Sequence, residues 1–441
     1  MTICAAMRLF LLFFFSLLLL CGPLEVQTGG ARPGNQLADL QLVVVLSRHG
    51  VRAPMAKQET YNQFSAAPWP QWDVPPTYLT AHGYELMKFF GAWDRMKLSG
   101  EGLLAATGCA DAAHVTIIAD TDQRTRETGK ALAEGMLPGC DVTVHSQPDG
   151  TNDPLFVPFK AGIVHADPAQ AVAAIAGRIG GDPNNLTETY RPQLAALDRV
   201  LAGCGHTTPN AKRTSIFDIP ATLNPGTSQS PVSASGPVVT AATLAENLLL
   251  EYTQGMSDAD TGWGCLDGAT LRFVMQVNAA HWNYGFRTPV IARMYASNLL
   301  GHIFETMKQS ATGKPVPGAL GKPGDRAVIL VGHDTNIATV AGALGIGWIE
   351  DGRADDTPPG GALVFELWRS RTDGKSFVRL RYTAQTLEQM RKGEPLTPAN
   401  PPAEAPIFVP GCSRPDLSCT WEGFSAAMRQ AIDPAYVNAQ P

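Results

Sequence analysis

The chain of 441 residues lacks several features that would each assign it to a class of protein. It has no excess of positive charge, because 34 Lys and Arg stand against 40 Asp and Glu, for a formal net charge of −6. Binding of nucleic acid through a basic surface is therefore not expected. No cysteine pair has C-x-x-C spacing and no histidine cluster accompanies the cysteines, so a structural zinc site is not expected either. Internal repeats and low-complexity tracts are also missing.

Long apolar runs are missing from the rest of the chain once residues 1–30 are set aside. In that first segment Arg8 precedes an almost unbroken apolar stretch from Leu9 to Cys21. This length is typical of the core of a signal peptide and is short for a membrane span. We therefore predict a signal peptide over residues 1–30 and an exported protein, periplasmic or secreted, with no membrane attachment after its removal.

The cysteine content agrees with export. Cys4 and Cys21 lie in the predicted signal peptide, and six cysteines remain, the even number expected for disulfides in an oxidising compartment. Six cysteines admit many pairings, but a short loop closes at low entropic cost, which favours a bond between Cys412 and Cys419. The other pairings that we prefer are Cys109 with Cys140 and Cys204 with Cys265.

Short runs rich in Val and Ile alternate with helical periodicity near both ends of the chain, a pattern typical of α/β proteins with a parallel sheet. The clearest of these runs are 42–46, 114–120, 325–332 and 362–368. A last strand at 377–385 is expected at the sheet edge, followed by a loop or extended segment over 395–410.

Residues 148–287 differ, with helical periodicity separated by turn-rich loops such as 207–235 and no convincing strand. We predict an α/β catalytic domain formed by 31–147 and 288–441, and an α-helical insertion (cap) domain over 148–287.

Polar residues follow three of the predicted strands at the point where each strand ends. Arg48, His49 and Arg52 follow the first, Arg124 opens the helix after the second, and His333 and Asp334 follow the third. The carboxyl ends of parallel strands meet at one edge of a sheet, so we expect these side chains to lie together. Guanidinium groups suit a phosphate, and an imidazole is a nucleophile near neutrality. Spacing alone does not separate Arg124 from Arg126.

This inventory fits hydrolysis of phosphomonoesters. The groups expected to surround the phosphoryl oxygens are Arg48, Arg52, Arg124 and His333. His49 would attack phosphorus to form a phosphohistidine, and Asp334 would protonate the leaving oxygen and then activate water. No metal or cofactor is required, because the guanidinium groups supply the positive charge. Since Asp334 must start protonated, we expect activity to be favoured below neutral pH. Further candidates on the substrate side are Met55, Asp120 and Thr335.

The same residues resemble a known family. The stretch Arg48-His49-Gly50-Val51-Arg52-Ala53-Pro54 is similar to the R-H-G-x-R-x-P motif of the histidine acid phosphatases, and Gly332-His333-Asp334-Thr335-Asn336 is similar to their H-D motif. Further stretches resemble the exported bacterial branch, which includes phytases and glucose-1-phosphatases: 122–129, 153–156, 357–361 and 385–391.

The resemblance implies a phosphoglycerate-mutase-like three-layer α/β sandwich with a largely parallel sheet and a helical insertion. It implies the catalytic and phosphate-binding roles given above, favours Arg124 over Arg126, and favours the pairing of Cys109 with Cys140. We expect a monomeric enzyme whose partner is a small phosphomonoester, and we favour phytate.

The chain departs from the bacterial phytases directly after the first motif. Those enzymes continue with Thr-Lys, whereas Met55-Ala56 follows here and Lys57 comes one place later. In this respect the chain resembles the glucose-1-phosphatases, although Gly50-Val51 and Asp334-Thr335 look more like the phytases. A less basic pocket should bind phytate less tightly, unless Lys57 or a residue of the insertion compensates.

Other functions are compatible with parts of the pattern. A glucose-1-phosphatase or a broad-specificity acid phosphatase needs the same chemistry. A mutase of the same fold also begins with R-H-G, but export, disulfides and an acid at Asp334 argue against it. An exported protein that only binds phosphate esters would need neither His49 nor Asp334.

Overall fold

The computed structural model describes residues 37–205, 213–227 and 229–439. The predicted signal peptide lies outside these residues. None of the helices in the described ranges is both long enough and apolar enough to cross a membrane.

The strands and helices of the described residues have the following bounds. The strands are β1 Ala38–Arg48, β2 Val115–Ala119, β3 Val144–His145, β4 Thr222–Thr227, β5 Ser230–Ser235, β6 Ala327–Gly332, β7 Ile349–Glu350, β8 Arg353–Ala354, β9 Ala362–Ser370, β10 Ser376–Ala384, β11 Ala403–Ile407 and β12 Cys419–Thr420. The helices are α1 Ala81–Gly100, α2 Gln123–Met136, α3 Pro168–Arg178, α4 Asn184–Thr189, α5 Arg191–Leu201, α6 Pro237–Thr253, α7 Gly268–His281, α8 Pro289–Thr312, α9 Asp334–Leu344, α10 Leu387–Lys392 and α11 Trp421–Ala431.

The predicted α/β fold is confirmed. Strands of the described chain form one main sheet in the order β11-β10-β9-β1-β6-β2-β3, with β12 beside β10. The pairings make β1, β6, β2, β3 and β10 run in one direction, and β9, β11 and β12 run in the other. The strand with the first predicted motif, β1, therefore lies between a parallel and an antiparallel neighbour.

Both faces of β1 are buried, which explains its continuous apolar sequence. Because side chains alternate along a strand, Leu42, Val44 and Leu46 pack on one side with α8, α9 and α11. Val43 and Val45 pack on the other side with α1 and α2. The sheet is thus the middle of three layers, and its burial fixes the register of the strand that ends at Arg48.

The segment 148–287 contains α3 to α7, and α5, α6 and α7 share an apolar core. The prediction of a loop over 207–235 is wrong in part, because β4 and β5 form an antiparallel hairpin there. Pro225 and Gly226 within β4 weaken a strand pattern, so local sequence favoured a loop. The hairpin is stabilised by tertiary contact instead, since Leu223 and Val232 pack against α3. The division of the chain into catalytic and cap domains stays a prediction.

The expectation that 377–385 forms the sheet edge is also wrong. Strand β10 is covered by β11 and β12, both antiparallel to it. The proline-rich stretch 395–410, predicted as a loop or extended segment, contains β11, in which Pro406 lies opposite Arg381. Proline cannot donate a ladder hydrogen bond and is tolerated at an edge, so β11 takes the outer position.

Two of the three preferred disulfides are confirmed, Cys109 with Cys140 and Cys412 with Cys419. The third is absent, because Cys204 and Cys265 are free thiols. Burial and the neighbouring thiol of Cys204 raise the pKa of Cys265 to about 12.

Several carboxyl groups are buried without full compensation by cations. Burial raises the pKa of Asp94 to about 7, of Asp153 to about 6, of Glu251 to about 8 and of Glu350 to about 7. Each of these values lies above that of the unfolded chain, so the folded protein binds more protons across the window from about pH 4.5 to 8. The contribution of these groups to the free energy of unfolding therefore falls as pH rises through this window.

Glu251 offers a test of this pH dependence, because its carboxylate has one backbone partner, the N–H of Gly262 at 3.1 Å. The substitution Glu251→Gln keeps an acceptor for that N–H and removes the buried charge. At pH 8 we expect the variant to be about 1–2 kcal/mol more stable than wild type, with no gain at pH 4.5. Urea unfolding at both pH values measures the difference. Exposed Glu59 provides the control Glu59→Gln, and an equal gain at both pH values would contradict the assignment.

Candidate active site

The ends of three neighbouring strands bring the predicted site residues to one edge of the sheet. Strand β6 lies between β1 and β2 and is parallel to both. The backbone N–H of His49 donates to the carbonyl of Gly332 at 3.0 Å, and that of Asp120 donates to Val331 at 3.0 Å. The turns that follow the three strands are therefore adjacent in space although they are distant in sequence.

A cavity of about 430 Å³ opens at this edge. The predicted residues that line it are Met55, His49, Arg52, Arg124, His333, Asp334 and Thr335. Arg48 lies beneath them and contacts Asp334, while Asp120 contacts His333. Arg126 points elsewhere and pairs with Asp149, so the structure separates it from Arg124.

The turn after β1 is held rigidly by the start of α1. The carbonyl of Val51 accepts a hydrogen bond from the N–H of Thr80, the N-cap of α1, at 3.0 Å. Gly83 lies directly against this turn, and a Cβ there would lie 2.2 Å from the carbonyl oxygen of Val51. The close approach requires glycine and leaves His49 little freedom to move.

His49 is buried and neutral. Its Nδ1 lies 2.9 Å from the carbonyl of Gly50, and because a carbonyl only accepts, Nδ1 carries the proton and Nε2 keeps its lone pair. Burial lowers the pKa of His49 well below its usual value, and the neighbouring charges of Arg124, Arg48 and Arg52 lower it further. The imidazole is thus available as a base or nucleophile even in acid.

Arg48 is only 1% exposed and has three partners. Its guanidinium donates to the carbonyl of Thr357 at 2.5 Å, lies 3.0 Å from Oδ2 of Asp334, and forms an ion pair with Glu246. Burial alone would lower the pKa of Arg48, but the two carboxylates have the larger effect and the pKa is raised. Burial lowers the pKa of Arg52 to about 10, so both arginines stay charged at working pH.

Glu246 is a site residue that the sequence did not indicate. It lies on α6, and its Oε1 contacts Arg48 and lies 3.7 Å from Nη2 of Arg52. Its carboxylate therefore occupies an anion position between two arginines. The only local signal is an acidic residue within an apolar helix, and Glu251 on the same helix gives that signal without lining the cavity.

Asp334 is ionised in this arrangement. Burial raises its pKa, but the charges of Arg48, Arg52 and His333 and the N–H of Thr335 together hold the pKa below its usual value. The N–H of Thr335 donates to Oδ1 at 2.8 Å, and the position at the first turn of α9 also favours negative charge.

His333 is oriented by Asp120, whose Oδ2 lies 2.6 Å from Nε2. Its Nδ1 then lies 3.4 Å from Nη2 of Arg124. Asp120, Asp122 and His333 form a group whose possible metal-ligand atoms lie within 4.8 Å of one another. Oδ2 of Asp122 forms an ion pair with Nη2 of Arg124 at 2.7 Å. The two carboxylates therefore orient the arginine and the imidazole.

A buried ionic cluster supports Arg48 from behind. Oδ1 of Asp356 accepts a hydrogen bond from the N–H of Thr357 at 2.8 Å. The carbonyl of Thr357 in turn accepts a hydrogen bond from the guanidinium of Arg48. Arg353 lies between two carboxylates: its Nε is 3.2 Å from Oδ2 of Asp356, and its Nη2 is 2.9 Å from Oε2 of Glu350. These contacts fix the loop that carries the acceptor for Arg48, so the guanidinium is held in one orientation before any substrate binds.

Comparison with known proteins agrees with this geometry. The sequence pattern of the histidine phosphatase superfamily (branch 2) matches residues 39–192 and 249–383. The chain belongs to this superfamily. Phytase AppA of Escherichia coli (strain K12) is 35% identical over 97% of this chain and 99% of its own length. A glucose-1-phosphatase of Salmonella typhimurium is 28% identical over 85% of this chain and 87% of its own.

A solved phytase structure is also similar. The phytase of Hafnia alvei in complex with myo-inositol hexakis sulphate superposes with a TM-score of 0.83 and 34% sequence identity, covering 92% of this chain and 100% of that one. The family resemblance and the fold expected from it are therefore confirmed.

The position of Glu246 generates a prediction about anion affinity. A phosphate bound by Arg48 and Arg52, as predicted, would compete with this carboxylate, so Glu246→Gln should remove the competition. We expect inorganic phosphate to inhibit the variant about tenfold more strongly than wild type. The competitive inhibition constant at pH 5 measures this. Glu188→Gln, at an exposed glutamate paired with Arg191, is the control. Unchanged or weaker inhibition would mean that Glu246 does not compete with phosphate.

Proposed function

We propose that this histidine phosphatase hydrolyses phosphomonoesters through a phosphohistidine formed on Nε2 of His49. The observation that carries the proposal is the buried neutral imidazole of His49, with Nδ1 engaged by a carbonyl, beside Arg48, Arg52 and Arg124. A nucleophile that stays unprotonated next to cations is suited to attack an anionic phosphoryl group.

In the proposed reaction the arginines and His333 bind the phosphoryl oxygens, and Nε2 of His49 attacks phosphorus opposite the leaving oxygen. The P–O bond breaks, and Asp334 gives its proton to the departing oxygen. Asp334, now a carboxylate, takes a proton from water as the water attacks phosphorus and releases His49. Electrostatic stabilisation of the transferring group is supplied by the guanidinium groups.

The charges around Asp334 couple its protonation to substrate binding. The charges that depress its pKa are those of Arg48, Arg52 and His333, and a bound phosphate dianion would offset the same charges. The pKa of Asp334 should therefore rise when substrate binds, which favours the proton donor. A medium below neutral pH increases the donor fraction further.

We further propose that the enzyme is exported to the periplasm or beyond, acts as a monomer, and uses segment 148–287 as a cap over the cavity. Support comes from the predicted signal peptide, from the two disulfides and from Glu246, Asn247, Asn278 and Trp282, which lie in that segment and line the cavity.

For substrate we propose phytate, hydrolysed to lower inositol phosphates and phosphate, with glucose 1-phosphate or a broad range of phosphomonoesters as the alternative. Similarity over nearly the full length to phytases supports the first. Lys160, from the segment 148–287, lines the cavity, whereas Lys57 does not. Lys160 is thus the residue able to compensate for the missing Thr-Lys.

The nucleophile is tested by hydrolysis of a chromogenic phosphomonoester at about pH 5. We expect His49→Ala to lower kcat by at least about 10³-fold, because the proposed intermediate forms on its imidazole. Rapid acid-free quenching with radiolabelled substrate should trap protein-bound phosphate in wild type and not in the variant. An inactive wild type that still binds phosphate would indicate a binding protein, and equal activity of the variant would refute the mechanism.

The substrate is tested at Met55, which is 56% exposed and lines the cavity. We expect Met55→Thr combined with Ala56→Lys to raise kcat/KM for phytate about fivefold, because one added cation attracts the unreacted phosphates. The value for glucose 1-phosphate should change much less. Phosphate release from the two substrates gives the ratio, and Lys57→Met is the control. If phytate turnover is unchanged, the departure at Met55-Ala56 does not set substrate preference.

A further inference from the structure

Two asparagines of the segment 148–287 line the active-site cavity, Asn247 on α6 and Asn278 on α7. The amide of Asn278 is used within the protein. Its Nδ2 donates to the carbonyl of Ala242 at 3.1 Å, and its Oδ1 accepts a hydrogen bond from Nε1 of Trp282 at 3.0 Å. Asn247 is only 2% exposed, yet its Nδ2 has no hydrogen-bond partner among the described residues. Asn278 thus has a structural role, whereas Asn247 keeps a free donor at the cavity wall.

A buried amide without a partner is costly, because it loses its hydrogen bonds to water and gains none in return. Among the described residues that line this cavity, the other side chains with a buried unpartnered nitrogen are Arg52 and Arg124. Both belong to the predicted phosphate pocket, where a ligand oxygen would supply the missing partner. The same reasoning applied to Asn247 indicates a second ligand oxygen at this part of the wall.

The surroundings of Asn247 favour a neutral oxygen over another phosphate. The cavity residues that α6 and α7 contribute include no lysine or arginine within the described ranges, and one of them is the carboxylate of Glu246. Burial lowers the pKa of His281, which lies at the end of α7, and so favours its neutral ring. A buried phosphate needs cationic partners, whereas a hydroxyl can accept a hydrogen bond from an amide without them.

We propose that Asn247 is a substrate-binding residue whose Nδ2 donates a hydrogen bond to a free hydroxyl of the leaving group, so that the enzyme prefers phosphate esters of polyols over esters of simple alcohols. The inference rests on the proposed function, because the arginines must first place the phosphoryl group. Phytate has no free hydroxyl and cannot use this contact, but each hydrolysis of a phosphate exposes one. Asn247 therefore acts on partly dephosphorylated inositols and on sugar phosphates.

The contact gives selectivity through the amide that otherwise stays unpaired. A polyol ester exchanges the hydrogen bonds of one hydroxyl with water for a hydrogen bond with Asn247. An ester of a simple alcohol fills the same space and leaves the amide without a partner. Sites built around a polar group discriminate in this way against analogues that lack the matching hydroxyl.

The test compares myo-inositol 1-phosphate with cyclohexyl phosphate, which share a cyclohexane ring and differ in their hydroxyls. Asn247→Leu keeps the approximate size of the side chain and removes the donor. We expect the ratio of kcat/KM values, inositol ester over cyclohexyl ester, to fall about tenfold in this variant. The ratio of phytate to cyclohexyl phosphate should stay within about twofold of the wild-type ratio, because phytate offers no hydroxyl.

Two further variants complete the comparison. Asn247→Ala removes the donor without adding bulk, and it should show the same selective loss. Asn184→Leu is the matched control at an exposed asparagine that does not line the cavity, and it should keep both ratios as in wild type.

Thermal unfolding of the ligand-free protein gives an independent readout. Asn247→Leu removes an unpartnered buried amide, so we expect its unfolding midpoint to rise by about 1–2 °C. A purely structural amide would instead lose a hydrogen bond on substitution. A lower midpoint together with equal loss of turnover of all three esters would overturn the inference.

The outcomes separate this inference from the proposed function. If wild type hydrolyses none of the three esters, the proposed function itself is refuted. If wild type hydrolyses them and both ratios are unchanged in Asn247→Leu and Asn247→Ala, only the role of Asn247 is refuted. A selective loss of phytate turnover would mean that the amide binds a second phosphate, which would also refute the assignment to a hydroxyl.

Discussion

The structure depends on the burial of one charge, the guanidinium of Arg48 at the end of the central strand. A buried cation is costly unless it is paired and hydrogen-bonded, and removing one partner of such a pair typically costs several kcal/mol. The partners come from three separate parts of the chain: Glu246 on α6, Asp334 on α9 and the carbonyl of Thr357. The requirement to satisfy Arg48 therefore joins the segment 148–287 to the sheet and to the loop before β9.

The same requirement sets the electrostatics of the site. The cations that need compensation also lower the pKa of His49 and, against the effect of burial, that of Asp334. One result is an imidazole that stays unprotonated, and the other is a carboxyl group that is ionised. Glu246 and Asp334 supply the negative charge beside Arg48. Under the proposed function a substrate phosphate would take over part of this pairing, so the buried guanidinium would keep an anionic partner.

The placement of the candidate active site is predictable from sequence because it follows from local patterns. A buried parallel strand ends at a known edge of the sheet, so Arg48, His49 and Asp334 could be brought together from sequence alone. Glu246 could not, because it is one polar residue in the apolar helix α6, and helical periodicity does not say whether a residue faces solvent or a cavity. Local sequence does not predict the hairpin β4–β5 for a related reason, since contact with α3 outweighs the unfavourable local sequence around Pro225.

This contrast reflects where the two parts of the cavity lining come from in the chain. The groups proposed to bind the phosphoryl group come mainly from turns that follow strand ends, and they belong to short sequence motifs. The aromatic rings that line the rest of the cavity instead come from the end of α7, the turn at Trp282–Phe286, the start of α8 and the loop around Phe159. None of these elements carries a recognisable motif, because a ring in a helix usually packs in a core. The proposed reaction chemistry is therefore encoded in local motifs, whereas the lining of the rest of the cavity depends on how segments distant in sequence pack together.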